Sequence, residues 1–401
     1  PLISCTDGNM VKVNTDFEPM EDKVVKVKTL NDEELEDKVA ELIKEGGVIG
    51  IIVNTVRKAQ KIGGKFKELF GRNTVEILHS AFIATDRIDR ETALISQIGK
   101  HGKRPERKII IGTQVIEQSL DIDFDALITD LCPVDLLLQR VGRLQRHEIK
   151  RPVKFSEPIV YVLGTGDHME FEKGSEQVYG KYYLLRTQLC LPDYIRIPSD
   201  IPILIDEVYG DSEPTLTGEP MSIYRESRIE METLKHNKTD KARTYRINAP
   251  KGEIKPEKYN LIGWLKNPDY SNSEEMATAQ VRDIMETIEV IAVKRIGNGY
   301  GTFKNEIDIS GQISDPKVSK ELAKQTIRLP NYVTIKKGVS NTIEELEEYN
   351  LKYLSDWQKQ PWLKGSLGVI FDVNGCFELN GIRLKYDYEL GLREEHKDGK
   401  F

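Results

Sequence analysis

No stretch of this chain approaches the roughly 20 consecutive apolar residues that a helix needs to cross a bilayer, so no membrane span is expected. Nothing at its start has the basic, apolar and small-residue order of a secretory leader. Cysteine is scarce. Cys5, Cys132, Cys190 and Cys376 lie far apart and form no C-x-x-C pair, which argues against a disulfide framework and a thiolate metal site and points to a reducing cytoplasm. A strongly basic balance is also missing: the formal net charge is −7, so any nucleic-acid contact is expected in a local groove and not over a basic surface. There is no internal repeat and no low-complexity tract. What remains is 39% hydrophobic and 31% charged, a globular composition, and 401 residues allow two or three domains at roughly 150 residues each. The first residue is Pro1 and not methionine, so the chain reads as a piece of a longer polypeptide.

Residues 1–23 show no helical period and read as an entering connection. Val24–Val27 reads as a short strand. Asn31 then caps a helix with Glu34 as its capping-box partner, Leu35, Val39, Leu42 and Ile43 form its apolar face, and Gly46-Gly47 ends it. Val48–Val53 is a continuous apolar run, the mark of a strand buried on both faces of a parallel sheet. A helix through Phe70, strand Val75–Leu78, a charged helix through His101, and strands Lys108–Ile111, Ala126–Thr129 and Pro158–Leu163 continue the alternation. The fold class is therefore α/β, a parallel sheet flanked by helices over residues 24–165, with functional loops at the carboxyl ends of its strands. Residues 166–258 read as a helical connector, with one helix over 170–191 and a long polar one over Ile223–Arg246. Residues 259–401 read as a smaller α+β domain. Its helices fall at Ser319–Thr326 and Ile343–Trp357, its strands begin in Ala279–Val293, and Asn374-Gly375 and Asn380-Gly381 predict a three-strand meander over Leu367–Tyr388.

The densest chemistry lies between Lys108 and His147. Gln139-Arg140-Val141-Gly142-Arg143-Leu144-Gln145-Arg146 repeats arginine every third residue around a glycine, which suits a close-approaching anion better than a solvated helix, where like charges at that spacing repel. This segment resembles motif VI (Q-R-x-G-R-x-x-R) of superfamily 2 helicases, and Gly112-Thr113-Gln114-Val115-Ile116-Glu117-Gln118-Ser119-Leu120-Asp121-Ile122-Asp123 resembles their motif V. Together with Phe124-Asp125 and His147 the pair is similar to the CRISPR type I helicase–nuclease family. Asn54-Thr55-Val56 resembles motif IV. His79-Ser80, with Arg87 and Glu91 beyond, resembles the family's next segment, although Ala81 stands where the family has arginine. Tyr386–Leu392 resembles the close of the family's C-terminal domain.

That resemblance implies a second RecA-like domain followed by a C-terminal domain, within an ATP-driven single-strand DNA helicase of CRISPR interference. Arg143 and Arg146 would be the γ-phosphate arginines, with Arg146 the finger. Gln139, Asp121 and Glu117 fall on the nucleotide side, Gln139 orienting the loop, Asp121 accepting from the ribose, and Glu117 and Gln118 tying motif V to motif VI. Asn54, Thr55, His79, Ser80, Arg87, Thr113 and Gln114 would face DNA. Arg140 reads as a structural salt bridge, and Asn54 and Ser80 alternatively as helix caps. The sequence has no G-x-x-x-x-G-K-[ST] and no His-Asp dipeptide, so ATP with Mg2+ would be bound mainly by a first motor domain, and the chain alone is expected to be inactive. No metal ligands are assigned. Ile203–Val208 mimics a metal-binding acidic strand but lies after motif VI and reads instead as a helix start with Asp206-Glu207 near its positive end. The expected partners are single-stranded DNA, a guide-RNA surveillance complex, and the first RecA-like and His-Asp nuclease domains of the same protein or a partner chain. Lys235, Lys238, Lys241, Arg243 and Arg246 form a solvated helix face or line a single-strand channel, and Trp357 and Trp362 pack a core or stack bases. An RNA helicase of superfamily 2 and a non-catalytic DNA- or protein-binding fragment are the competing readings.

Overall fold

The computed structural model describes residues 3–14, 20–117, 120–165, 169–244, 287–305 and 307–395. It comprises two compact units, Pro1–Thr215 with Tyr386–Arg393, and Leu216–Lys385 with Glu394–Lys400.

The first unit opens on a solvent-exposed hairpin, β1 (Ile3–Thr6) and β2 (Val11–Asn14). Then follow β3 (Lys23–Leu30), α1 (Leu35–Ile43), β4 (Gly47–Ile52), α2 (Val56–Phe70), β5 (Val75–Leu78), α3 (Ala84–Ile98), β6 (Arg107–Gly112), β7 (Ala126–Asp130), α4 (Val134–Val141), β8 (Ile159–Leu163), α5 (Lys173–Tyr179), α6 (Lys181–Cys190), β9 (Tyr194–Ile197) and α7 (Ile201–Tyr209). The capping box before α1 is present: the Asn31 N–H donates to Glu34 Oε2 at 3.1 Å.

Seven strands form one sheet in the order β5-β6-β4-β7-β8-β3-β9. All pairs are parallel except β3–β9. The apolar run of β4 is explained by its two faces. Val48 and Ile52 enter one core with Phe124, Leu137, Val141, Leu184 and Leu204, while Ile49, Ile51 and Val53 enter the other with Leu35, Val39, Ala59 and Phe66. Helices on both sides thus bury every side chain of the strand, each large one worth about 1.5–3 kcal/mol. Gly50 faces the first core, where the Phe124 ring occupies its missing side chain: a Cβ there would sit 2.6 Å from the ring.

The compact unit runs past the expected boundary at 165. β9 pairs with β3, and Leu204 and Val208 of α7 join the first core. The helix expected over 170–191 is two, because Gly180 takes φ +78 between α5 and α6. Asp206 and Glu207 lie in the last half of α7, so they are neither a metal-binding strand nor a pair at a helix start. Tyr386–Arg393 counts with this unit: Gln60 Nε2 donates to the Leu390 and Leu392 carbonyls at 2.8 and 2.9 Å.

The second unit contains α8 (Glu219–Thr244), β10 (Glu289–Ile296), β11 (Gly299–Gly301), α9 (Pro316–Ala323), β12 (Thr326–Arg328), α10 (Tyr332–Ile335), α11 (Val339–Tyr353), β13 (Gly368–Phe371), β14 (Cys376–Leu379) and β15 (Ile382–Asp387). The expected meander divides. β13 runs parallel to β10 in a sheet ordered β11-β10-β12, whereas β14 and β15 form an antiparallel hairpin in a separate sheet. Asn380 and Gly381 both take positive φ (56 and 73), as a type I′ turn requires, whereas at the earlier pair only Gly375 does. Trp357 is core, its indole N–H donating to Tyr300 Oη at 2.7 Å, while Trp362 is half exposed with Lys320 over its ring. Lys235, Lys238, Lys241 and Arg243 lie on an exposed stretch of α8, where Arg243 pairs with Asp240 at 2.9 Å. Arg246, residues 248–256, 267–273 and 279–286, and the boundary at 258 lie outside the described residues.

Gly50→Ala is expected to lower stability by about 1–3 kcal/mol through overpacking against Phe124. Urea unfolding followed by far-UV dichroism and amide hydrogen exchange over 47–53 and 120–130 checks this, and unshifted stability would show that the ring yields freely.

Candidate nucleotide and nucleic-acid site

The parallel order of β4, β5, β6 and β7 sets Asn54, His79, Thr113 and Asp130 along one carboxyl edge of the sheet. At the middle of that edge lies the fully buried Arg140 of α4. Its Nε donates to Glu117 Oε1 at 2.7 Å, and one terminal nitrogen approaches the same oxygen at 2.6 Å. The other nitrogen donates to Thr129 Oγ1 at 2.7 Å and the Asp130 carbonyl at 3.0 Å. Bonds to Asn54 Oδ1 at 3.0 Å and Tyr179 Oη at 3.2 Å complete the set. The structural salt bridge expected of Arg140, and the tie between motifs V and VI expected of Glu117, are one ion pair. Gln118 lies outside the described residues.

Beyond Arg140 the chain leaves the helix. Arg143 N–H bonds the Arg140 carbonyl at 2.9 Å and Leu144 N–H the Val141 carbonyl at 3.0 Å, a tightening that ends α4. The three motif arginines are therefore not one helical stripe. Arg143 is partly exposed, donates to the Glu117 carbonyl at 2.7 Å, and has no partner for its Nε–H among the described residues. Burial first, and the neighbouring Arg146 charge second, lower its proton affinity, with Asp121 opposing. Arg146 is 43% exposed; its Nε lies 3.1 Å from Asp121 Oδ1, which also meets His147 Nε2 at 3.1 Å. Gln139 is exposed on α4. Two like charges that act on each other at a partly exposed edge fit an anion such as a phosphate.

A second buried cluster straps this loop. Arg151 donates to Asp123 Oδ2 and Asp125 Oδ1, both at 2.6 Å, and Arg104 meets Asp125 Oδ1 at 2.8 Å. Asp125 accepts from Val48 N–H at 2.7 Å and Asp123 from Arg146 N–H at 3.1 Å. Phe124 N–H bonds the Arg143 carbonyl at 2.9 Å and Gln145 N–H the Phe124 carbonyl at 2.8 Å. Motif VI is thus sewn to motif V by backbone as well as side chains.

The nucleic-acid candidates divide by exposure. Asn54 spends both amide hydrogens inside the protein, on the Leu131 carbonyl at 2.8 Å and Ser175 Oγ at 2.9 Å. Gln114 spends both of its own on the Asn54 carbonyl at 3.0 Å and Tyr179 Oη at 2.9 Å. Phosphate oxygens only accept, so neither amide retains a donor for them. His79 is fully buried, stacked on Phe82, and held neutral by burial, which depresses its pKa to about 3. Thr113 is buried too. Ser80 is exposed, Thr55 and Arg87 partly so; Thr55, and not Asn54, caps α2, Ser80 caps no helix, and Arg87 lies 3.6 Å from Glu91. Among the described residues no three metal-ligating side chains gather, and no helix is long and apolar enough to cross a membrane.

Residues 45–149 match the family model described as CRISPR-associated nuclease/helicase Cas3, C-terminal, and residues 282–392 match the Cas3 C-terminal domain. The CRISPR-associated nuclease/helicase Cas3 of Streptococcus thermophilus is 49% identical over 404 residues, covering 99% of this chain and 43% of that protein. This chain belongs to the Cas3 family. It matches the C-terminal part of its Cas3 relatives and spans less than half the length of those it matches. The Escherichia coli K12 Cas3 endonuclease/helicase is 28% identical over 315 residues, 75% of this chain and 32% of that one. Among solved structures, a CRISPR-associated protein superposes with a TM-score of 0.78 at 26% identity, over 98% of this chain and 43% of its own. The T. fusca Cas3 structure shares the fold with a TM-score of 0.74 at 23% identity, over 96% of this chain and 45% of its own.

Several residues that build the site carry no motif signal. Tyr179, Ser175, Arg104, Arg151 and Lys23 lie outside motifs IV, V and VI and reach them only through the fold. The one available clue was the alternation Asp121, Asp123, Asp125, which sends acids toward one side of a short extended run and requires cations there.

Lys23 supplies a test. Its Nζ donates to the Leu144 and Gln145 carbonyls, and burial pulls its pKa down to about 8, with Asp123 opposing and Arg151 adding. The folded state therefore disfavours the charged amine, so its contribution is fullest above the ordinary lysine pKa of about 10.4 and is lost as pH falls through about 8. The parent should gain stability relative to Lys23→Met as pH rises across that window. Chemical denaturation of both proteins through the window measures it, and a pH-independent difference would contradict the assignment.

Proposed function

We propose that this chain supplies the second half of an ATP-dependent single-strand DNA helicase or translocase that drives degradation of invader DNA in CRISPR interference. The observation that carries the reading is the division of labour among the motif arginines: Arg140 is wholly committed inward, while Arg143 and Arg146 stand together at the surface beside Asp121. Arg146 acts as the finger that stabilises charge on the transferring γ-phosphoryl group, with Arg143 beside it. Gln139 and Asp121 border the nucleotide, and Glu117 acts indirectly by holding Arg140. The structural neighbours include T. fusca Cas3–ATP and Cas3–ADP, which supports nucleotide as the anion. ATP and its Mg2+ are held mainly by a first RecA-like domain, which with the His-Asp nuclease domain belongs to the same protein or a partner chain.

Single-stranded DNA runs along the carboxyl edge of the sheet, where Ser80, Thr55 and Arg87 keep side chains exposed and small polar groups suit phosphate oxygens. Asn54, His79, Thr113 and Gln114 shape that edge from beneath. A further fold neighbour is the CRISPR RNA-guided surveillance complex, pre-nicking, which supports a guide-RNA complex as the partner that delivers DNA.

In the complete motor, Arg146→Ala should lower kcat by about 10³–10⁵ while leaving ATP binding largely intact, because ground-state binding rests on the other domain. Arg140→Ala should instead destabilise the fold by about 3–5 kcal/mol, since the Glu117 carboxylate is left buried and unpaired. Steady-state ATPase, nucleotide titration and thermal melts separate the two. Parental turnover in Arg146→Ala would refute the finger assignment.

A further inference from the structure

We propose that Tyr179 is a positioning residue whose single hydroxyl sets both the Gln114 side chain of the motif V turn and the Arg140 side chain of the motif VI helix. The proposal rests on the motor reading above and goes beyond it to the link between the DNA edge and the nucleotide edge.

Tyr179 belongs to α5, which lies outside both regions matched by the family models. Ser175 and Tyr179 are four residues apart, so they share one face of that helix. From that face Ser175 Oγ accepts from Asn54 Nδ2 at 2.9 Å, while Tyr179 Oη accepts from Gln114 Nε2 at 2.9 Å and from Arg140 at 3.2 Å. One short helix therefore touches all three motif segments at the carboxyl edge. Burial raises the Tyr179 hydroxyl to about 12, so it remains protonated near neutrality.

The two partners depend on this hydroxyl to different degrees. Arg140 keeps Glu117, Thr129, the Asp130 carbonyl and Asn54 without it. Among the described residues, Gln114 keeps only the Asn54 carbonyl for its amide hydrogens. Loss of the hydroxyl therefore leaves the arginine hub standing and frees Gln114 to rotate, which removes the Gln114–Tyr179–Arg140 link between the motif V turn and the motif VI helix while the Glu117 ion pair remains.

The test is Tyr179→Phe in the complete protein, which keeps the ring and removes one oxygen. ATP hydrolysis is measured over a range of ATP concentrations, with and without single-stranded oligothymidylate. The expected result is a roughly tenfold loss of stimulation by the oligonucleotide, the scale of one hydrogen bond to a charged or buried partner, with basal rate and KM for ATP unchanged. Parental stimulation would overturn the proposal. So would an equal fall in basal and stimulated rates, which a merely structural role would give. A parent protein with no stimulation at all would count against the motor reading itself. Amide hydrogen exchange on the same two proteins then decides the positioning role: faster exchange over 112–117 with little change over 134–147 is expected in the variant, and identical exchange overturns it.

Discussion

One desolvated charge organises the functional edge of this molecule. A guanidinium taken wholly out of water is tolerable only when its donors are met, and breaking such a pair typically costs about 3–5 kcal/mol. Arg140 meets that demand with groups from four places in the chain: Asn54 after β4, Glu117 after β6, Thr129 and Asp130 at the end of β7, and Tyr179 on α5. None of these can shift far without stranding a buried donor, so the hub fixes the relative positions of the loops that carry the chemistry. Arg143 and Arg146 gain their placement from it. Arg140 holds the helix inward, the chain tightens and leaves α4 after Val141, and the next two arginines emerge together.

The same accounting of donors separates contact from support. An amide side chain has two hydrogens, and in both Asn54 and Gln114 the protein uses both. Such residues define where a neighbouring backbone and hydroxyl can be, whereas Ser80, Thr55 and Arg87 keep exposed side chains. A buried network that is fully satisfied is rigid, as the proposed coupling of a phosphate edge to a nucleic-acid edge would require.

Much of the architecture was legible in the residues. The unbroken apolar run at Val48–Val53 required two covered faces, and α1, α2, α4, α6 and α7 cover them. The Asn31–Glu34 box and the Gln139–Arg146 motif each announce themselves because their chemistry is local. Less legible were β9, which is only four residues long, the break at Gly180 inside an otherwise helical pattern, and the departure of β13 to pair with β10. Strand pairing depends on partners distant in sequence, and Asn-Gly fixes only the turn that it occupies.

The sequence by itself determined the family, the α/β class and the strand that is buried on both faces, because periodicity and motif spacing are properties of neighbouring residues. Only the tertiary structure decided which polar side chains are spent inside and which remain available. Hydrogen-bond partners are chosen by proximity in space: Tyr179 is distant in sequence from Gln114 and Arg140, yet within 2.9 and 3.2 Å of them once the sheet has brought its loops to one edge.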